Sequence, residues 1–203
     1  MVKVQDQTTE EKILAAARKV FLNKGMDGAR MQDIADEAGI NKALLHYYFR
    51  SKDKLFEHIF LEVANGFLPR VIAILESDEA LFHKIELFCE EYIGQMQQTP
   101  YVPIFILNEI NRQPQAFLEK VVGTKKIPLF KMMGEIAGEI EAGRIKPINP
   151  LQLLLNVLSL CLFPFLASPL LQHVTGMDSA EFNALMEERK KEVPRMIIES
   201  IKA

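Results

Sequence analysis

Apolar residues between Met31 and Phe49 recur in two short stripes with helical spacing. The first stripe holds Ile34, Ala35 and Ala38, and the second holds Leu45, Tyr48 and Phe49. Gly39 lies between them, and glycine can adopt the left-handed backbone conformation that ends a helix without the steric penalty of a Cβ atom. Ala35 is small where a second helix would cross the first. The pattern predicts a helix-turn-helix, and the alternative is an ordinary helical hairpin.

The second predicted helix begins with residues that suit a polyanionic surface. Asn41 can cap the helix by accepting hydrogen bonds from its first free amides. Lys42 follows in the first turn, where a cation is unfavourable relative to the helix dipole unless a polyanion faces that end. In helix-turn-helix proteins, the N-terminal residues of the second helix reach base edges. These neighbours favour DNA binding over a plain hairpin.

Two segments carry a resemblance to a known family: TEEKILAAARKVFLNKG from Thr9 and GINKALLHYYFRSKDKLF up to Phe56. Together they resemble the DNA-binding domain of the tetracycline-repressor (TetR) family. Two positions depart from that family's pattern, which usually has Tyr in place of His46 and Thr or Ser in place of Arg30. Arg30 cannot cap a helix by accepting amide hydrogens, but it can reach a phosphate, and His46 can still donate to one.

The helix-turn-helix and the resemblance imply two sets of DNA contacts. Base-edge or groove contacts are expected from Asn41, Lys42, Ala43 and Leu44, and phosphate contacts from Arg30, Gln32, His46, Tyr47, Tyr48 and Lys52. Lys42 would suit guanine acceptors, and Ala43 or Leu44 would suit a thymine methyl group. Which of the two tyrosines faces DNA is open at this point, and helical geometry predicts that the other packs inward.

Charge is distributed unevenly along the 203 residues, whose net charge is −3. Residues 1–58 carry 10 Lys or Arg and 9 Asp or Glu, a net charge of +1, whereas the remaining residues carry 14 and 18, a net charge of −4. DNA binding needs only a local basic patch. The patch predicted here comprises Lys42, Arg50, Lys52 and Lys54.

Helical spacing continues along the rest of the chain, so the predicted fold class is all-α. A three-helix helix-turn-helix domain (1–52) precedes a larger helical domain for effector binding and dimerisation (53–203). A first helix ends at Gly25, and a fourth runs from Lys52 to about Phe67. Further helices are predicted near 69–75, 80–98, 102–111, 114–142 (kinked or split at Pro128), 150–174 and 179–201.

The charge-free stretch from Ile148 to Val174 approaches the length of a membrane span. Its polar residues and its prolines favour a buried helix in a core or a dimer interface instead. Cys89 and Cys161 lie in apolar surroundings and are expected to be free buried thiols. The polar start of the chain does not resemble a signal peptide. A cytoplasmic protein without a membrane partner is therefore expected.

Catalytic motifs are scarce, so an enzyme has little support. The four histidines lack metal-ligand spacing, and neither a glycine-rich phosphate loop nor a nucleophile elbow is found. No metal or cofactor is expected. Large apolar residues and a few polar ones could instead enclose a small molecule, although most of them must also form the core. The candidates are Phe67, Phe88, Tyr92, Met96, Phe105, Asn108, Phe130, Met133, Asn156 and Phe163.

The resulting hypothesis is a DNA-binding transcriptional regulator, a repressor by analogy, that binds a palindromic operator as a homodimer. The helices near 150–174 and 179–201 would form the dimer, as the resemblance implies. An unknown apolar or amphipathic ligand in the C-terminal domain would release the DNA. Three alternatives are an effector-independent DNA-binding dimer (in nucleoid or division control), an interaction protein that no longer binds DNA, and a helical enzyme.

Overall fold

The computed structural model describes residues 8–112, 114, 115, 119 and 127–203, and in this part of the chain it contains ten α-helices and no β-strand longer than an isolated bridge. The all-α fold class is confirmed. The first four helices are α1 (Thr9–Gly28), α2 (Met31–Ala38), α3 (Lys42–Tyr48) and α4 (Lys52–Glu76). The next three are α5 (Leu81–Gln98), α6 (Val102–Arg112) and α7 (Leu129–Glu141). The last three are α8 (Pro150–Leu166), α9 (Ser168–Thr175) and α10 (Ser179–Ile201).

The chain forms two compact units, which divide between Asn65 and Gly66, inside α4. The predicted domain boundary at 52/53 lies earlier, at the start of this helix. The first half of α4 belongs to the first unit because Leu55, Phe56 and Ile59 are fully buried there. The ring of Phe56, for example, packs edge-on against that of Phe21 in α1, with centroids 5.0 Å apart.

Helix α1 begins with a reciprocal cap and is interrupted where the sequence predicted its end. The Thr8 backbone N–H donates to the Glu11 carboxylate (2.8 Å), and the Glu11 N–H donates to the Thr8 hydroxyl (3.3 Å). This capping box satisfies two amides that have no helical partner. The helical geometry breaks at Gly25, which has a φ of +67°. The remaining residues to Gly28 form a short continuation that leads into α2.

The turn between α2 and α3 is closed by backbone hydrogen bonds around Gly39, which is left-handed with φ +67° and ψ +32°. The Gly39 N–H donates to the Asp36 carbonyl (3.2 Å), and the Ile40 N–H donates to the Ala35 carbonyl (3.0 Å). This is a Schellman motif, which satisfies the last carbonyls of a helix and reverses the chain. The predicted helix-turn-helix is confirmed, down to the residue that permits the turn.

The second unit is built around α5, which packs against α8 and α10. Its core includes the fully buried residues Cys89, Ile93, Ile136 and Cys161. The thiol of Cys161 donates to that of Cys89 at 3.6 Å, so the two cysteines are free, buried and adjacent. This hydrogen bond and burial raise the pKa of the Cys161 thiol far above its usual range.

Two helix boundaries differ from those predicted. The fourth helix continues through Pro69 to Glu76, whereas the sequence predicted a break before this proline. Proline removes only one helical hydrogen bond, and flanking residues such as Ala64 and Val71 are buried. The stretch 150–174 is two helices bent by 64° rather than one. Pro169 lies in the first turn of α9, a position where a missing N–H costs little and a new helix can begin.

Length and composition alone would let α4 cross a membrane, as would α8 and α9 if the bent pair were counted as one span. Core helices of soluble proteins meet the same two criteria.

Candidate nucleic-acid interface and effector cavity

Helix α3 is held by one buried face and presents another to solvent. Leu45 is fully buried, together with Ile34 and Ala35 of α2. The Asn41 side-chain oxygen accepts the Leu44 N–H (2.8 Å), so the predicted N-cap is confirmed. Lys42, Ala43 and Leu44 are exposed in the first turn of the helix. Apolar anchoring on one side and solvent exposure on the other match the requirements of a helix that enters a groove.

The two tyrosines at the end of α3 are both on the surface. Tyr47 is 82% exposed and Tyr48 is 41% exposed, and their rings meet edge to face at 5.6 Å. The expectation that one of them packs inward is wrong. The inward positions are occupied by Leu45 and Phe49, which leaves both phenol groups accessible to a phosphate backbone.

The predicted basic patch is divided between free and engaged cations. In the described part of the chain, Lys42, Arg50 and Arg30 form no ion pair. Lys54 instead pairs with Glu57 at 2.7 Å, and this hydrogen bond raises the pKa of the Lys54 ammonium. Among the described residues, no carboxylate therefore neutralises Lys42 at the start of α3.

Lys52 connects two stretches of backbone. Its ammonium donates to the carbonyl oxygens of Met26 (2.7 Å) and Ala29 (3.1 Å), which lie at and just after the end of α1. An ammonium group has three N–H donors, so one remains for a phosphate. Lys52 thus holds the α1–α2 connection whether or not it also contacts DNA.

We expect Lys52→Met to lower the free energy of unfolding of the first unit by about 2 kcal/mol, because two carbonyl oxygens would be deprived of their charged donor. Chemical denaturation followed by circular dichroism would measure this decrease. Lys54→Met removes the same charge from an exposed ion pair and should have a much smaller effect. An equal decrease in both variants would contradict the conclusion that Lys52 holds the α1–α2 connection. A separate salt titration of DNA binding reports the predicted phosphate contact, since the slope falls by about 1 for each phosphate that is no longer neutralised.

The start of α2 is organised by a carboxylate rather than by Arg30. The Arg30 backbone N–H donates to Asp33 at 3.0 Å, and the Arg30 side chain makes no cap, as predicted. Lys24 donates to Asp33 as well, and the two hydrogen bonds hold the pKa of this carboxyl below its usual range. Gln32 donates to Asp36 at 2.7 Å. The Arg30 guanidinium is therefore available to a phosphate, whereas the Gln32 amide would have to share or exchange its partner.

His46 is exposed, and its Nδ1 lies 3.2 Å from the Arg50 carbonyl oxygen. A carbonyl only accepts, so Nδ1 carries the proton in this contact and a neutral ring would have an acceptor at Nε2. Only the imidazolium form would donate from Nε2 to a phosphate.

A cavity of about 260 Å³ lies in the second unit, among α4, α5, α7 and α8. Its lining is almost entirely carbon. Of the ten predicted ligand-contact residues, Phe67, Phe88 and Tyr92 line it. Their rings form one aromatic wall, in which Phe88 stacks on Tyr92 (5.4 Å) and Phe67 meets Tyr92 edge-on (5.5 Å).

Five other candidates lie outside this lining. Met96 is buried, and Met133 is partly buried. Asn156, Phe130 and Phe163 are exposed, the two phenylalanines by 87% and 60%, so they do not enclose this cavity. The side chains of Phe105 and Asn108 lie outside the described part of the chain. Helical periodicity shows which apolar residues share one face of a helix. It does not show which part of that face lines a cavity.

Lys84 is a lining residue that the sequence pattern did not single out. Its side chain is 2% exposed, and its ammonium donates to the Leu75 carbonyl (3.2 Å) and to the Glu135 carboxylate (2.7 Å). A signal was present, because Lys84 falls in the apolar stripe of α5 between Leu81 and Phe88. Tyr92 contributes its ring to the lining, and burial raises the pKa of its phenol well above the usual range, so it stays neutral.

Comparisons with known proteins agree with this architecture. Residues 13–59 match the family model of bacterial regulatory proteins of the tetR family. The HTH-type transcriptional regulator RutR of Escherichia coli K12 is 27% identical over 193 residues, which cover 94% of this chain and 89% of RutR. The HTH-type transcriptional repressor NicS of Pseudomonas putida is 28% identical over 150 residues, covering 70% of this chain and 66% of NicS.

A solved structure shares the fold over most of the chain. The TetR family regulator PfmR of Thermus thermophilus aligns with a TM-score of 0.63 at 18% identity, covering 90% of this chain and 97% of PfmR. The relatives are transcriptional regulators and not enzymes, in agreement with the scarcity of catalytic motifs. Residues 13–59 therefore form a helix-turn-helix domain of the kind found in tetR-family regulators, and the chain is similar over most of its length to HTH-type transcriptional regulators.

Proposed function

We propose that the protein is a repressor that binds a palindromic operator as a homodimer and leaves it when a small apolar or amphipathic molecule enters the second unit. The observation that carries the proposal is the exposed first turn of α3, where the described residues leave the positive charge of Lys42 unbalanced. Lys42 has no carboxylate partner in the described part of the chain, and it stands at the positive end of a helix whose opposite face is buried. Such an arrangement is stabilised by a polyanion.

Each subunit would place α3 in the major groove. Asn41, Lys42, Ala43 and Leu44 would meet base edges, and Arg30, Gln32, His46, Tyr47, Tyr48 and Lys52 would position the duplex through its phosphates. The exposure of most of these residues supports the assignment. A role on DNA implies a protein that works in the cytoplasm.

Dimerisation is proposed through α8 and α10. Leu151, Leu155 and Leu158 follow helical spacing on α8 and are 43%, 46% and 37% exposed. Leu185 and Met196 of α10 are 41% and 49% exposed. A two-fold dimer presents α3 twice, about one helical turn or ~34 Å apart, which demands a palindromic site.

Release by a ligand is proposed to pass through α4, because this helix supplies residues to both units. A ligand that binds better to the conformation unfit for DNA lowers operator affinity by the ratio of its two affinities. The cavity lined by α4 residues supports a ligand-responsive regulator over an effector-independent dimer, whose second unit would be filled.

Selection from a random DNA pool tests the proposal. We expect the enriched sequences to share an inverted repeat with half-sites about one turn apart, and the purified protein to bind them two subunits at a time. A Lys42→Ala/Tyr47→Ala variant should select nothing, whereas Lys19→Ala, an exposed cation paired with Glu37, should select the same repeat. Enrichment of no motif, or of one unaffected by the double substitution, would rule out α3 as the reading helix.

A further inference from the structure

We infer that the cavity of the second unit takes an uncharged, mainly hydrocarbon ligand, and that Glu135 sets this preference by neutralising Lys84 in advance. The inference rests on the proposed ligand-responsive function and adds the chemical class of the ligand. It also names a specificity-determining residue that does not itself line the cavity.

Lys84 has the position expected of an anion-binding residue, but its charge is already balanced. Its side chain lies in the lining and is almost fully buried. The ammonium donates to Glu135 at 2.7 Å and to the Leu75 carbonyl at 3.2 Å. The Lys131 ammonium lies 3.8 Å from the same carboxylate, and Glu135 itself is 30% exposed. An incoming carboxylate would have to displace Glu135 rather than meet a free cation.

The rest of the lining offers a charged ligand no compensation. The walls are Phe67 and Phe88 on one side and aliphatic residues such as Ile136, Leu153 and Val157 on the other. Burying an ion among such groups without a partner costs several kcal/mol, and the ion would stay in water. Burial raises the pKa of the Tyr92 phenol, so this lining residue is also uncharged.

The size of the cavity also limits the ligand. Its volume of about 260 Å³ lies just below the range of roughly 300–1,000 Å³ that is usual for small-molecule sites. A single short alkyl chain or one aromatic ring system therefore suits it better than a large drug-like compound.

A series of ligands with one chain length and three charges tests the inference. The probes are 1-octanol, octanoate and octylamine below their micellar concentrations, measured by calorimetry and by thermal unfolding. We expect 1-octanol to bind and to raise the midpoint of unfolding by about 5 °C near 100 times its dissociation constant. Octanoate and octylamine should produce no shift at the same concentration. Stabilisation by octanoate equal to or greater than that by 1-octanol would overturn the inference.

For the Glu135→Gln variant we expect the opposite result with octanoate. With its counter-charge removed, Lys84 is a buried cation, so octanoate should now bind, with an affinity increase of roughly tenfold or more over the wild type. A Lys84→Met/Glu135→Gln variant removes both charges and should bind 1-octanol but not octanoate. If Glu135→Gln does not fold, this double variant and the wild-type series still test the inference. Unchanged exclusion of octanoate by a folded Glu135→Gln protein would contradict the role of Glu135.

These measurements contain no DNA, which separates the two proposals. Absence of binding by all three probes, with operator binding intact, would overturn the ligand class alone. Ligand binding as expected, with no DNA binding under any condition, would overturn the proposed function and leave the ligand class standing.

Discussion

Replacing Lys42 with alanine is expected to weaken operator binding by the dimer by about 2–6 kcal/mol, or roughly 30-fold to 10⁴-fold. A bidentate contact to a base is worth about 1–3 kcal/mol, and two-fold symmetry doubles the effect. Lys42 is exposed in the first turn of α3, which Asn41 caps and Leu45 anchors. The variant should fold normally because the Lys42 side chain forms no ion pair in the described part of the chain.

The pattern of the weakening distinguishes a base contact from a phosphate contact. Affinities would be measured by fluorescence anisotropy for the selected operator and for versions with one base pair changed in each half-site. Lys42→Ala should erase discrimination at one or two positions, whereas removal of a phosphate contact weakens binding to all sequences alike. Lys19→Ala, in the same unit, controls for the removal of one positive charge. A uniform weakening in Lys42→Ala would move Lys42 to the phosphate-contacting set.

Replacing Leu155 with glutamate should convert the dimer to monomers and lower operator affinity by about 10²-fold to 10⁴-fold. The leucine is 46% exposed on α8, in the stripe that begins at Leu151. Burying a carboxylate there in each subunit costs several kcal/mol per ion, since the exposed leucines on the same stripe, Leu151 and Leu158, offer it no partner. Affinity falls because a monomer binds one half-site without the second subunit.

Light scattering coupled to gel filtration would measure the mass, and anisotropy would measure DNA affinity. Leu155→Met conserves volume and apolar character, so it should remain dimeric and bind the operator normally. Circular dichroism establishes that the glutamate variant is folded, which is expected because the side chain is exposed in the subunit. A folded Leu155→Glu dimer with normal affinity would place the interface elsewhere.

Local sequence signals predicted the first unit closely because its defining features span only a few residues. A helix cap needs Asn41 and an amide three residues on, and the turn needs Gly39 between two stripes. The helix predicted near 179–201 is α10, Ser179–Ile201, and the structure shows that Asp178 caps it. The exposure of both tyrosines was not predictable from spacing, since the space inside the turn was already taken by Leu45 and Phe49.

Proline signals were reliable only where packing agreed with them. Pro128 precedes α7, as the predicted split requires, whereas the residues before 127 on that predicted helix lie largely outside the described part. Pro69 does not end α4, because burial on both sides outweighs the absence of one hydrogen bond. Whether a proline ends a helix depends on tertiary contacts, and a short stretch of sequence does not show them.

The sequence by itself determined the all-helical class, the helix-turn-helix and the cation at the start of its second helix, because these follow from short-range spacing, capping and turn chemistry. Only the tertiary structure decided where the second unit leaves a void and which charges meet beside it. Lys84 and Glu135 are 51 residues apart, and Cys89 and Cys161 are 72 apart. Contacts over such separations depend on how whole helices pack, since a helix's own period says which residues share a face but not what that face will touch.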